Sequence, residues 1–223
     1  MKIDGRCHCG YVSFEAEADS ETTTICNCTD CQTMSGAPLR AVVTTRPGTF
    51  VDLNLALTRL GKPTLARVNG HALAGGLGLV VACDLAIAAD DAQLGTPEIN
   101  VGLWPMMIMA TIFRNVPRKR GLELVMTGDK ITAQEAVELG LITRAVPKDR
   151  LDAEVQALAE KLASKSPAIM RLGLTAFHAT QDMELEPALR HLEGQLVAVL
   201  QTEDAREGLT AFLEKRQPQW KGR

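Results

Sequence analysis

One stretch, Leu65 to Ala89, narrows the possible folds more than any other part of the chain. Leu65 to Val68 is a short, largely apolar run closed by Asn69-Gly70, a turn dipeptide, and reads as a buried strand. Gly75-Gly76 opens a second apolar run, Leu77 to Ala82, which reads as a buried helix, and Leu85 to Ala89 comes next as another strand. Strand, turn, helix and strand in so short a span predict a partial parallel βα layer over about residues 60–145.

Toward the C-terminus the helical signals take over. Thr132-Ala133-Gln134-Glu135 is a capping box, and Gly140 stands where that short helix must end. Leu151, Val155, Leu158, Ala159 and Leu162 recur at helical spacing, as do Leu185, Leu189, Leu192, Leu196 and Val199. Thr202, with Glu203 and Asp204, starts a last helix carrying Leu209, Phe212 and Leu213. The pattern is α/β succeeded by an all-helical C-terminal third.

Upstream the chain has another character. Tyr11 to Ala16 alternates and Leu39 to Thr44 is β-branched and apolar, so both read as strands. Arg46-Pro47-Gly48 marks a turn, and a boundary falls between Pro47 and Leu53, giving units of residues 1–48 and 51–223. Of six cysteines, five lie in the first 31 residues and Cys83 stands alone. Clustered thiols behind a polar start, Met1 to Gly10, with no apolar signal core, suggest metal ligation before disulfides and a cytoplasmic protein. No apolar run approaches the ~20 residues of a membrane helix. A net charge of -3 argues against nucleic-acid and membrane-surface partners, which select a basic face. Aromatic residues are only 4%, so the core must rest on Leu, Val, Ile, Ala and Met.

Lys62-Pro63-Thr64-Leu65-Ala66-Arg67-Val68-Asn69-Gly70-His71-Ala72-Leu73-Ala74-Gly75-Gly76 resembles the most recognisable stretch of the crotonase, or enoyl-CoA hydratase/isomerase, superfamily. The resemblance continues through Ala82-Cys83-Asp84, Leu94 to Ile99, Val101-Gly102-Leu103, Thr127-Gly128-Asp129 and Gly140-Leu141. It implies a partial crotonase-like ββα spiral core with a C-terminal helical region. It also implies an acyl-CoA substrate, no cofactor for that chemistry, and a homo-oligomer, a trimer or dimer of trimers, formed through the C-terminal helices.

A CoA thioester reacts through an enolate-like state, with charge growing on its oxygen, and fixed N–H donors must meet that charge. The resemblance makes the Gly75 N–H one such donor, with Ala74 and Gly76 beside the substrate. A glycine pair also permits tight helix–strand packing, the competing explanation. Glu98 matches the family's acid/base glutamate, near the N-terminus of a helix in which Pro97, after Thr96, takes the first position. Among Ile99, Val101, Leu103 and Trp104 its pKa is expected to rise. The competing explanation is a charge that stabilises a helix start. Phe212 and Lys215 fall where family members contact the CoA nucleotide, often across a subunit boundary, though an amphipathic helix accounts for them equally. Cys83 reads as a buried small hydrophobe, Asp84 as a structural hydrogen-bonding group and His71 as a packing or hydrogen-bonding residue. His178 and His191 have no evident paired ligand.

Two departures from the family matter. Hydratases carry a second glutamate three residues after the oxyanion glycine, where this chain has Gly78, so the pattern resembles double-bond isomerases or other acyl-CoA lyases better. The first spiral turns, which in the family supply the other oxyanion N–H, have no match in residues 1–50. That stretch instead carries Cys7-His8-Cys9-Gly10 and Cys26-Asn27-Cys28-Thr29-Asp30-Cys31, resembling the start of the glutathione-dependent formaldehyde-activating enzymes. These are zinc-binding β proteins acting as carbon–sulfur lyases. By that resemblance Cys26, Cys28 and Cys31 are zinc ligands, with Cys7 and Cys9 half of a second set; unliganded, reduced thiols are the alternative. The chain then reads as a short zinc-type β segment joined to a crotonase-like part. A true fusion, a non-catalytic pseudoenzyme and an artefactual junction all fit that description.

Overall fold

A computed structural model describes the backbone of Lys2–Arg6 (β1), Ser13–Glu17 (β2), Thr24–Cys26 (β3) and Arg40–Val42 (β4), and the chain from Thr49 onward, with side chains from Val51. β1 pairs with β2 and β3 with β4, both antiparallel.

From Thr49 the elements run α1 (Thr49–Arg59), β5 (Leu65–Val68), β6 (Ala72–Leu73), α2 (Gly75–Ala82), β7 (Leu85–Ala89) and β8 (Gln93–Gly95). A 3₁₀ turn over Pro97–Val101 comes next, then α3 (Met106–Asn115), α4 (Arg118–Thr127), β9 (Lys130–Thr132), α5 (Ala133–Leu139) and β10 (Arg144–Val146). The helical third holds α6 (Leu151–Ala163), α7 (Pro167–Thr180), α8 (Leu185–Leu200) and α9 (Glu203–Leu213). α1 carries no strong sequence signal and begins between Pro47 and Leu53, where a boundary is expected.

The expected parallel layer is the sheet β10-β7-β5. Its centre, β7, shows why it forms. Successive side chains of a strand point to opposite faces. Ala86 and Ala88 join the cluster of Leu77, Val81, Leu94 and Ile112 on the α2 side. Ile87 and Ala89 pack with Leu151, Val155 and Leu158 of α6 on the other. β7 is therefore covered on both faces, which explains its unbroken apolar run. A second, mixed sheet, β6-β8-β9, pairs β6 with β8 in parallel and β8 with β9 antiparallel.

The capping box is present: Thr132 accepts from the Glu135 N–H at 3.2 Å, and Glu135 accepts from the Thr132 N–H at 2.7 Å. Gly140 ends α5 at φ 81°. One expectation changes: α2 is buried on one face only, through Leu77 and Val81, while Leu79 is exposed. The leucine stripes of α8 and α9 are helical as predicted and face outward: Leu185 is 75% exposed and Phe212 80%.

Candidate active site

The site grows from one pair of short strands. β6 and β8 run parallel, with Leu73 opposite Gly95. His71 ties them at their start, its Nδ1 accepting from the Gln93 N–H at 3.0 Å, so its role is the structural one expected. At their carboxyl ends, the usual place for ligands in α/β proteins, the chain leaves in two directions. β6 passes through Ala74 into α2 and its Gly75; β8 passes through Thr96 into the turn that carries Glu98. The Ala74 N–H donates to the Gly95 carbonyl at 2.9 Å and joins the two exits.

Gly75 is exposed, and a Cβ added there would meet nothing within 4 Å. Tight packing therefore does not explain this glycine. The first N–H groups of a helix have no partner within it. At α2 no side chain caps them and no acid occupies the first turn. They are backbone donors at the positive end of a helix dipole, with Gly75 exposed, Gly76 half-buried and Leu77 buried. Gly78, one turn on, is buried and donates to Ala74 O at 3.2 Å.

The Glu98 turn is held by backbone and by α4. Leu103 N–H donates to Glu98 O at 3.0 Å. Pro97 takes the first position as expected, but the element is a short 3₁₀ helix rather than an α-helix, and the Thr96 hydroxyl does not cap it. That hydroxyl is fully buried and donates to Leu124 O at 3.1 Å. The landmark glycines have local causes. A Cβ on Gly95 would sit 2.8 Å from the Asp129 carbonyl, and one on Gly128 would sit 2.6 Å from Ile99 Cγ2. Asn100 Nδ2 also donates to Gly128 O at 3.3 Å.

Glu98 Oε2 is buried with no hydrogen-bond partner, and burial raises its carboxyl above the ordinary glutamate range, against a lowering backbone hydrogen bond. The shift agrees with expectation, but its source differs. Val101 and Leu103 are 74% and 62% exposed and do not enclose the carboxylate. Such a carboxylate can take up and release a proton nearer neutrality than an exposed one.

A cleft of about 820 Å³ borders the α2 end of the site, lined by Val68, Ala72, Gly76, Leu79, Cys83 and Lys148 among others. A smaller one of about 410 Å³ lies between α4, β9 and α5, around Arg120, Glu123 and Lys130. Glu98 lines neither. The larger cleft is relevant because it reaches Gly76, and it is of ligand size.

Other expected residues fall elsewhere. Phe212 and Lys215 are exposed at the end of α9, which packs on α7 and α8 rather than being built into the β6–β8 exits. Asp84 is structural as expected: it accepts from the Thr64 N–H and hydroxyl, each at 2.7 Å. Cys83 is half-buried rather than buried, and desolvation raises its thiol pKa. His178 Nε2 lies 3.4 Å from Asp84 Oδ1. Cys7, Cys9, Cys28 and Cys31 lie outside the described residues, and Cys26 is described by its backbone alone. Among the described residues no His/Cys/Asp/Glu group is arranged to hold a metal, and no helix is long and apolar enough to cross a membrane.

Fold and site together define an α/β protein that presents an uncapped helix start and a half-buried carboxylate at the ends of two paired strands. The chain belongs to the enoyl-CoA hydratase/isomerase family, whose model matches residues 22–223. That match begins within the cysteine-rich stretch, upstream of Val51. Enoyl-CoA hydratase domain-containing protein 3 of Mus musculus, a mitochondrial protein by name, is 40% identical over 158 residues, covering 71% of this chain and 53% of the relative. The chain thus spans little more than half of that relative's length. The crystal structure of the human protein of that name superposes with a TM-score of 0.75 at 38% identity, covering 77% of this chain and 68% of the other. An enoyl-CoA hydratase structure from Mycobacterium smegmatis gives a TM-score of 0.75 at 37% identity, covering 77% and 66%.

Proposed function

We propose that this chain acts on acyl-CoA thioesters, with Glu98 moving a proton on the acyl chain while the Gly75 N–H receives the developing charge of the thioester oxygen. The single observation that carries this reading is the buried, unpartnered Glu98 Oε2, on a turn joined through Gly95 and Ala74 to the uncapped start of α2, where Gly75 is exposed. The chemistry proposed is isomerase-like. Gly78 has no side chain with which to activate water, so a proton shuttle between the α and γ carbons of an unsaturated thioester is favoured over hydration. Ala74 and Gly76 flank the thioester in this reading. Phe212 and Lys215 would reach the CoA nucleotide from a neighbouring copy, which their exposure at the end of α9 supports. The outward leucines of α8 support a homo-oligomer, measurable as molar mass by light scattering.

The test is to assay 3-enoyl-CoA isomerisation and 2-enoyl-CoA hydration side by side. Isomerisation exceeding hydration is expected. Efficient hydration would overturn the isomerase assignment, and the absence of both reactions would overturn the enzyme assignment.

A further inference from the structure

The geometry points to Ala74 as a positioning residue that fixes the direction of the Gly75 N–H; the inference rests on the proposed role of that N–H. Ala74 has φ 52° and ψ -130°. A positive φ is rare for an L-residue other than glycine, and among the described residues only Ala74 and Lys215 show it outside glycine. The conformation is over-determined. Ala74 N–H donates to Gly95 O at 2.9 Å, and Ala74 O accepts from Gly78 N–H at 3.2 Å.

The second bond matters most, because the Ala74 carbonyl and the Gly75 N–H belong to one planar trans peptide and point in opposite directions. Aiming the carbonyl along α2 aims the N–H out of the helix start. A peptide flip, with ψ of Ala74 turned through about half a circle, would put the carbonyl where the thioester oxygen must sit. The first bond ties the same residue to β8, two residues before Pro97, so it also sets the proposed donor relative to the Glu98 turn.

The experiment compares the full chain with Ala74→Val and Ala74→Gly, reading amide exchange at residues 74 and 78, kcat per folded molecule, and KM. A β-branched side chain opposes positive φ, so Ala74→Val should speed exchange at Gly78. It should lower kcat by about tenfold or more, up to the roughly 10²–10³ expected for losing one oxyanion donor outright, with KM little changed. Glycine meets no steric penalty at that φ, so Ala74→Gly should recover what Val loses and raise the melting temperature. A role in stability alone would lower activity only in proportion to the folded fraction. Undiminished kcat per folded molecule in Ala74→Val, an equal loss in Ala74→Gly, or fast exchange of both amides in the unaltered chain overturns the inference. If the unaltered chain turns over no thioester, the functional reading falls, and exchange decides for the clamp: faster Gly78 exchange in the Val variant upholds it, equal exchange overturns it.

Discussion

Asp204 should be the most costly single carboxylate to remove from the helical third. It is 1% exposed, at the start of α9. Its Oδ2 accepts from the Ser166 hydroxyl at 2.5 Å, its Oδ1 from the Lys221 N–H at 2.7 Å, and both oxygens from the Gly222 N–H at 3.1 and 3.2 Å. Its own N–H donates to Arg223 O at 3.1 Å. The last residues of the chain are thereby folded back onto α9 and the start of α7. Trp220 adds to the clasp, its Nε1 donating to Ser164 O at 2.9 Å while a Cβ on Gly208 would touch its ring. Hydrogen bonds to a charged group contribute about 1.5–3 kcal/mol each, and a buried donor left without an acceptor costs about 1–3 kcal/mol. Three donors lose their acceptor in Asp204→Ala, and since such losses overlap, about 3–5 kcal/mol is expected. For a domain of this size that lowers the melting temperature by about 6–20 °C. Asp204→Asn keeps the shape, loses the charge and should cost about half as much.

The pH dependence has a definite sign. Burial raises the Asp204 carboxyl, but the Ser166, Lys221 and Gly222 donors outweigh it and hold the carboxyl below its ordinary value. A lowered folded-state pKa means the stabilisation is complete above the unfolded value, about 3.9, and disappears as pH falls through the folded one. Calorimetry of wild type and Asp204→Asn should show a gap that is constant near neutrality and closes below about pH 4. Equal melting temperatures near neutrality, or a gap unchanged down to about pH 3, would refute the clasp.

Gly128→Ala should destabilise by about 1–2 kcal/mol, because φ there is +67° and the new Cβ lies 2.6 Å from Ile99 on the Glu98 turn. Urea midpoints and turnover should fall together, whereas loss of stability alone would detach Gly128 from the site. Since burial raises Glu98, kcat/KM should rise with pH through an apparent pKa above the ordinary glutamate value of about 4.3. A profile flat across that range would remove Glu98 as the base. Zinc held by the purified chain is expected on Cys26, Cys28 and Cys31, so metal analysis of the triple Ser variant should show it lost; unchanged stoichiometry would rule the trio out.

The parts of the fold legible in the sequence are those with local causes. Asn69-Gly70 closes β5 and Gly75-Gly76 opens α2, and the Thr132–Glu135 box and Gly140 bound α5 within a few residues. Helical spacing marks α6 and α8 and their apolar faces. It does not say what covers those faces, so the outward turn of Leu185 and Phe212 is not readable from it. The pairing of His178 with Asp84 joins residues far apart in the chain and depends on where α7 docks. At the candidate site, motif order locates Gly75 and Glu98. The misleading signal there is sequence proximity: Val101 and Leu103 come just after Glu98 but turn to solvent, Val101 at the end of the 3₁₀ turn and Leu103 beyond the Gly102 that stops it at φ 75°. The strain at Ala74 carries no sequence signal, since a positive φ is marked by glycine, and less often by Asn or Asp, and not by alanine.

The central claim is that Glu98 removes a proton beside a thioester carbonyl held by the α2 N–H groups. A saturated acyl-CoA in D₂O tests it without reference to hydration or isomerisation, because deuterium enters the α carbon only if that proton is removed. The account predicts deuterium wash-in, monitored by NMR or mass spectrometry, with the unaltered chain and its loss in Glu98→Gln, where the amide keeps the shape but cannot act as a base. No wash-in with the unaltered chain, or an equal rate in Glu98→Gln, would contradict it.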